Sequence, residues 1–168
     1  MTKIIKLNKH NILTVGCTVL TLALVAFIWL HSLKPADVST QESNNVLFTM
    51  ESLFAGLNIN AELSSFIIRK AAHFLEFTAL GFMVTVTFFS FANKIKYYIF
   101  HILFILLAVP VIDESVQYLA PQRSPQVNDV LLDFIGCITG LLLALAAIAV
   151  VRAILKLRKN KKNLKGRD

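Results

Sequence analysis

The chain has 168 residues, 56% hydrophobic and only 16% charged, with a formal net charge of +7. That length holds one domain, and that balance excludes a soluble globular protein, because the apolar residues fall in long blocks rather than in alternation. The positive charge lies where it would anchor helix ends at anionic lipid, which excludes a nucleic-acid partner.

Crossing the ~30 Å hydrocarbon core takes ~20 helical residues at ~1.5 Å each. Residues 12–30 form the first block of that length, preceded by Lys3, Lys6 and Lys9. Its apolar run exceeds the ~7–15 residues of a signal-peptide core, and no small-x-small cleavage site follows. Trp29-Leu30-His31-Ser32-Leu33 reads as an interfacial exit, so the sequence predicts an uncleaved first helix.

The connection 31–65 is the longest. Its first half, 32–45, is rich in Ser, Thr, Asn and Gln around Lys34-Pro35 and is expected to be irregular. Its second half carries Val46, Leu47, Met50, Leu53, Phe54 and Leu57 at helical spacing. That pattern fits either a short amphipathic helix on the outer surface or a loop segment packed on the bundle.

The next helix is predicted over about 69–91, followed by a short basic connection at 92–96. A third covers about 97–119. Pro121 and Pro125, four apart, cannot sit in a helix interior and mark a rigid turn. A fourth helix is predicted over about 129–152, with a basic tail at 153–168. Cys17 and Cys137 lie at different depths of their blocks, which argues against a disulfide and for packing.

Thirteen of the seventeen basic residues fall before the first helix, between the second and third, or after the fourth. Lys34, Arg69, Lys70 and Arg123 are the remainder. This positive-inside asymmetry places both termini in the cytoplasm. The expected fold is all-α: a four-helix transmembrane bundle forming a single domain over 1–168, its longest connection outside.

Ionisable residues inside such helices are costly and point to function. Arg69, His73 and Glu76 share one face of the second helix. Asp113, Glu114 and Gln117 close the third, and Asp129 and Asp133 open the fourth. At ~1.5 Å rise per residue, each stripe reaches about 8–10 Å into the outer part of the membrane. Matched depth predicts one polar pocket facing outward, lined by these eight residues, with Lys70 and Arg123 at its rim. Gly136 and Gly140, one turn apart on the Asp129–Asp133 face, are expected to let another helix approach. The plain structural alternative is an ion-pair network that only fixes helix register. The carboxylates outnumber the certain cations, however, so protonation, a metal or a cationic ligand must satisfy the excess.

At these positions the chain resembles the VanZ-like family. Arg69-Lys70-Ala71-Ala72-His73-Phe74-Leu75-Glu76-Phe77, ending at Leu80-Gly81, is similar to the family's K-x-x-H-F-x-E-Y-x-x-L-G segment. Asp113-Glu114-x-x-Gln117 with Pro121-x-Arg123 is similar to its D-E-x-x-Q…P-G-R segment. Asp129-x-x-x-Asp133-x-x-Gly136-x-x-x-Gly140 is similar to D-x-x-x-N-x-x-G-x-x-x-G. Ser32, Pro35, Ser39 and Ser43 resemble a serine-studded loop found in some members. Phe77, Gln122 and Asp133 depart from the family's Tyr, Gly and Asn; the last adds a carboxylate to the pocket. The resemblance implies a bacterial plasma-membrane protein of the cell envelope, linked to antibiotic resistance through lowered susceptibility to teicoplanin and related lipoglycopeptides.

Three functions compete. The first is binding: an amphiphile, either a lipoglycopeptide or a lipid-linked cell-wall intermediate, with its head in the pocket and membrane lipid around it. The second is an intramembrane hydrolase using a divalent metal on His73, Glu76, Glu114 and Asp129. His-x-x-Glu lacks a second histidine, since His10, His31 and His101 are not expected near the pocket. No nucleophile and base stand out either, Ser115 being the one serine near the carboxylates, so binding without a cofactor is preferred. The third is a carrier, disfavoured because polar residues are absent from the inner half of the bundle.

Overall fold

The computed structural model describes residues 9–56, 64–92 and 95–165. Lys3, Lys6, Lys94 and Arg167 of the charge asymmetry, and Leu57 of the expected surface helix, lie outside them. The described residues form α1 (Lys9–Ser32), α2 (Ala36–Gly56), α3 (Ser65–Phe91), a 3-10 turn (Ile95–Tyr97), α4 (Ile99–Gln117) and α5 (Val127–Lys165), and no strand. Helices α1, α3, α4 and α5 are long and apolar enough to cross a membrane. The chain is therefore a multi-pass membrane protein with an all-α fold.

Two expectations fail. The segment 32–45 is not irregular, because α2 begins at Ala36. Pro35 precedes its first turn, where a missing N–H costs nothing, and Asp37 complements the helix dipole there. The hydroxyls that suggested a loop bond back to the helix's own carbonyls: Thr40 to Ala36 and Ser43 to Ser39. Ser39 and Ser43 are buried, and α2 packs on α3. Nor is the basic tail a separate segment. No Gly or Pro interrupts 141–165, so α5 runs on to Lys165. The remaining boundaries agree within a turn; α3 starts early because the Ser64 side chain accepts from the Ile67 N–H.

Helix α3 is central, touching all four others, and its most extensive contact is with α5. Glycines make that approach possible. A Cβ on Gly140 would strike the backbone of Thr78 and Phe82, and one on Gly136 would lie 2.7 Å from the Phe74 carbonyl oxygen. Gly81, which the sequence reading did not assign to packing, faces the Cys137 backbone just as closely. Around this seam Ile28, Phe77, Leu80, Ile102, Leu106 and Cys137 are fully buried. Phe100, at 81% exposed, and Phe104, at 73%, cover the outside of α4, as a lipid-facing surface requires. Both cysteines are free.

The end of the bundle where α1 and α4 finish and α3 and α5 begin carries the charged stripes; it is called the polar end below. Toward the opposite end, the expected absence of polar groups does not hold. Thr21 bonds the Thr87 hydroxyl, and Thr14 donates to the Ser90 carbonyl, both contacts joining α1 to α3. These hydroxyls are mutually satisfied, so they tie the two helices together.

Gln122, in the turn between α4 and α5, has φ 60°. This is the left-handed region that glycine tolerates and other residues enter at a cost of ~1 kcal/mol. The departure from the Gly of the resembling pattern thus has a physical consequence. Gln122→Gly is expected to raise stability by up to about 1 kcal/mol, less the entropy glycine adds to the unfolded chain. Thermal unfolding in detergent reads this directly; a clear loss would mean the turn is not left-handed there.

Candidate functional site

The polar end is built from five pieces of chain. The turn 118–126 is held against the α1–α2 connection: the Ala36 N–H donates to the Pro121 carbonyl, and Arg123 Nε donates to the Lys34 carbonyl at 3.2 Å. Lys34 in turn reaches Glu42 at 2.6 Å on the exposed surface, where a pair contributes little. That ammonium, with His31 beside it, holds the Glu42 carboxyl below its ordinary value. Glu114 closes the base of the turn, accepting from the Gln126 N–H at 2.5 Å and from Gln117 Nε2 at 2.8 Å.

A pocket of about 250 Å³ opens between these pieces, lined by Arg69, Lys70, His73, Gln117, Arg123, Asp129 and Asp133, with Phe66 and Leu132 as apolar wall. Lys70 pairs with Asp129 across α3 and α5. Lys70 and Arg69 also lie over the Phe66 ring. Among the described residues neither Arg69 nor Arg123 has a carboxylate partner. Burial lowers the Arg123 guanidinium from its ordinary value, and the charge of Arg69 pushes it the same way. The wall of the pocket is therefore more cationic than the sequence suggested.

The structure divides the residues expected to share one pocket. Arg69, His73, Gln117, Arg123, Asp129 and Asp133 line it; Glu76, Asp113 and Glu114 do not. Glu76 turns toward α1, its Oε1 3.1 Å from His31 Nδ1. Asp113, fully buried, accepts from the Ser32 hydroxyl at 2.8 Å. Glu114 is occupied by the turn. The four metal ligands proposed from sequence, His73, Glu76, Glu114 and Asp129, thus do not converge. Among the described residues the group that does is His73, Asp113 and Asp133, whose ligand atoms lie within 4.8 Å of one another.

Two residues were misjudged. His31 is not remote: its ring stands 6.5 Å from that of His73, and it also contacts Glu42 at 3.4 Å. Ser32, not Ser115, is the serine on a carboxylate; Ser115 is exposed and bonds the Val111 carbonyl. Their position at the last turn of α1 was legible, but which face of α1 meets α3 and α4 was not.

Comparison with known proteins gives one positive result. A family model described as VanZ/LLP1 matches residues 17–151, most of the chain and all of the charged stripes. No curated protein and no solved structure matches.

Proposed function

The chain belongs to the VanZ/LLP1 family, and from that premise we propose that it binds an anionic amphiphile at the polar end, in the outer leaflet of a bacterial plasma membrane. The observation that carries this reading is the pair Arg69 and Arg123, on the pocket wall without a carboxylate of their own. Such guanidinium groups suit a carboxylate or phosphate head. The N-termini of α3 and α5 add positive potential at the same end. Phe66 on α3 and Leu131 and Ile135 on α5, all more than half exposed, offer a track for an acyl chain toward the bilayer. A lipoglycopeptide or a lipid-linked cell-wall intermediate has both features. Lowered susceptibility to teicoplanin-type antibiotics follows if the bound amphiphile is the drug itself or the intermediate it needs.

Arg69→Ala tests the reading, because among the described residues the Arg69 side chain has no hydrogen-bond or carboxylate partner, only the Phe66 ring beneath it. The variant in nanodiscs is expected to bind a fluorescent lipoglycopeptide or the envelope lipid about 10- to 100-fold more weakly, the worth of one charge-assisted contact, with unchanged melting. Cells expressing it should lose protection while antibiotic and envelope lipids stay chemically unaltered in the wild type. Unchanged binding by Arg69→Ala would sink the proposal. A new lipid product, dependent on the pocket carboxylates and removed by a chelator, would establish a hydrolase instead.

The orientation in this proposal rests on the basic residues gathered at the end opposite the pocket. In a background lacking Cys17 and Cys137, cysteines at Asn44 and Ser124, both exposed, should react with an impermeant thiol reagent on intact cells. Ser43 is unsuitable because it is buried. A cysteine at Asn163 should not react; labelling there would reverse the topology.

A further inference from the structure

Two buried carboxylates, Asp133 on the pocket wall and Asp113 behind it, have too few partners. Asp133 is 1% exposed, and neither of its oxygens has a hydrogen-bond partner among the described residues. Asp113 is 0% exposed; Ser32 takes Oδ2, and Oδ1 is likewise unpartnered. His73 lies beside them, its Nδ1 4.0 Å from Asp133 Oδ2, too far for a hydrogen bond. Nearby cations are committed elsewhere or turned to the wall: Lys70 holds Asp129, and Arg123 reaches the Lys34 carbonyl. Two unpaired carboxylates inside an apolar bundle carry a large desolvation penalty unless they are protonated or a cation shares their charge.

We propose that His73, Asp113 and Asp133 bind a divalent transition-metal cation of the zinc type. One imidazole nitrogen and one oxygen from each of two carboxylates form a three-ligand set of the kind that leaves a coordination position open. The three ligand atoms lie within 4.8 Å of one another. Ligands at ~2.1 Å from a tetrahedral ion stand about 3.4 Å apart, so the set has to draw in by no more than about 1.4 Å per pair to hold the ion. The Ser32 hydroxyl on Asp113 Oδ2 orients that carboxylate from outside, leaving Oδ1 to the metal. His73 and Asp133 also line the pocket, so the open position faces it. Glu76, Glu114 and Asp129, the carboxylates that seemed equally available in sequence, fall outside that group of ligand atoms, and Glu114 and Asp129 are held by the Gln126 N–H and Lys70. Asp133 stands where the resembling pattern has Asn, so the second charge is a property of this chain. The site stands whether or not the amphiphile reading holds.

The experiment uses the full chain in nanodiscs, stripped with a chelator and titrated with Zn²⁺ and, separately, Co²⁺. The expected result is one metal per chain by elemental analysis and a visible Co²⁺ absorption band of a low-coordinate site. Asp133→Asn and His73→Ala should each weaken binding by at least about 100-fold, and His31→Ala should leave it unchanged. Both ligand variants are checked for native melting, and Asp133→Asn, nearly isosteric, keeps the test open if His73→Ala does not fold. Absence of stoichiometric binding by the folded wild type overturns the site. So does binding that Asp133→Asn leaves intact. Failure of lipid binding by Arg69→Ala leaves this outcome untouched, so the two proposals fail separately.

Discussion

Gly81→Ala and Gly140→Ala are expected to be the most damaging single-methyl changes in the chain. In each, the new Cβ meets main-chain atoms of the facing helix, Cys137 from Gly81 and Thr78 with Phe82 from Gly140. Flexible side chains could move aside, but a helix backbone cannot shift locally. The α3–α5 seam must open along its length, which costs the 1–3 kcal/mol typical of overpacking or more. Transmembrane helices gain no hydrophobic drive for association once inside lipid, so close packing is what is lost. Gly136→Ala meets the Phe74 carbonyl at 2.7 Å and should be next in severity. Gly16→Ala is the control: nothing lies within 4 Å, and alanine favours helix over glycine by ~1 kcal/mol. Melting of the purified variants in detergent should follow that order. Wild-type melting by Gly81→Ala and Gly140→Ala together would mean that α3 and α5 do not touch as described.

Glu114→Gln is expected to remove protection and to destabilise the protein by about 1.5–3 kcal/mol, the worth of charged hydrogen bonds that lose an acceptor. Glu114 is 4% exposed, and both its oxygens accept from donors: the Gln126 N–H and the Gln117 amide. An amide in its place must point an NH₂ group at one of them. The clasp between the end of α4 and the start of α5 then loosens, and with it the turn that carries Arg123. Loss of protection in this variant therefore comes with lower melting, whereas Arg69→Ala should lose binding at wild-type melting. If Glu114→Gln melts like the wild type, the clasp is not structural and Glu114 acts on the ligand directly.

The number and approximate bounds of the membrane-spanning helices were legible in sequence. The thickness of hydrocarbon fixes how long an apolar block must be; three blocks met it, and the third in chain order, short at 97–112, met it when extended to Leu119. The depth of the polar stripes was legible too, because helical rise converts residue number into height: Arg69–Glu76, Asp113–Gln117 and Asp129–Asp133 do occupy one end of the bundle. Helical period also marked Gly136 and Gly140, since two small residues four apart share a face. It did not mark Gly81, which has no glycine four residues away.

Tertiary structure alone decided which groups at that level meet. Height along an axis says nothing about the rotation of one helix relative to another, and rotation assigns partners. It turned Glu76 toward His31, closed Glu114 on its own turn, and left His73, Asp113 and Asp133 together. The segment after α1 was misread for a related reason. Its Ser and Thr hydroxyls bond equally well within a loop or back to a helix's own carbonyls, and only packing of the segment on α3 selects the helix.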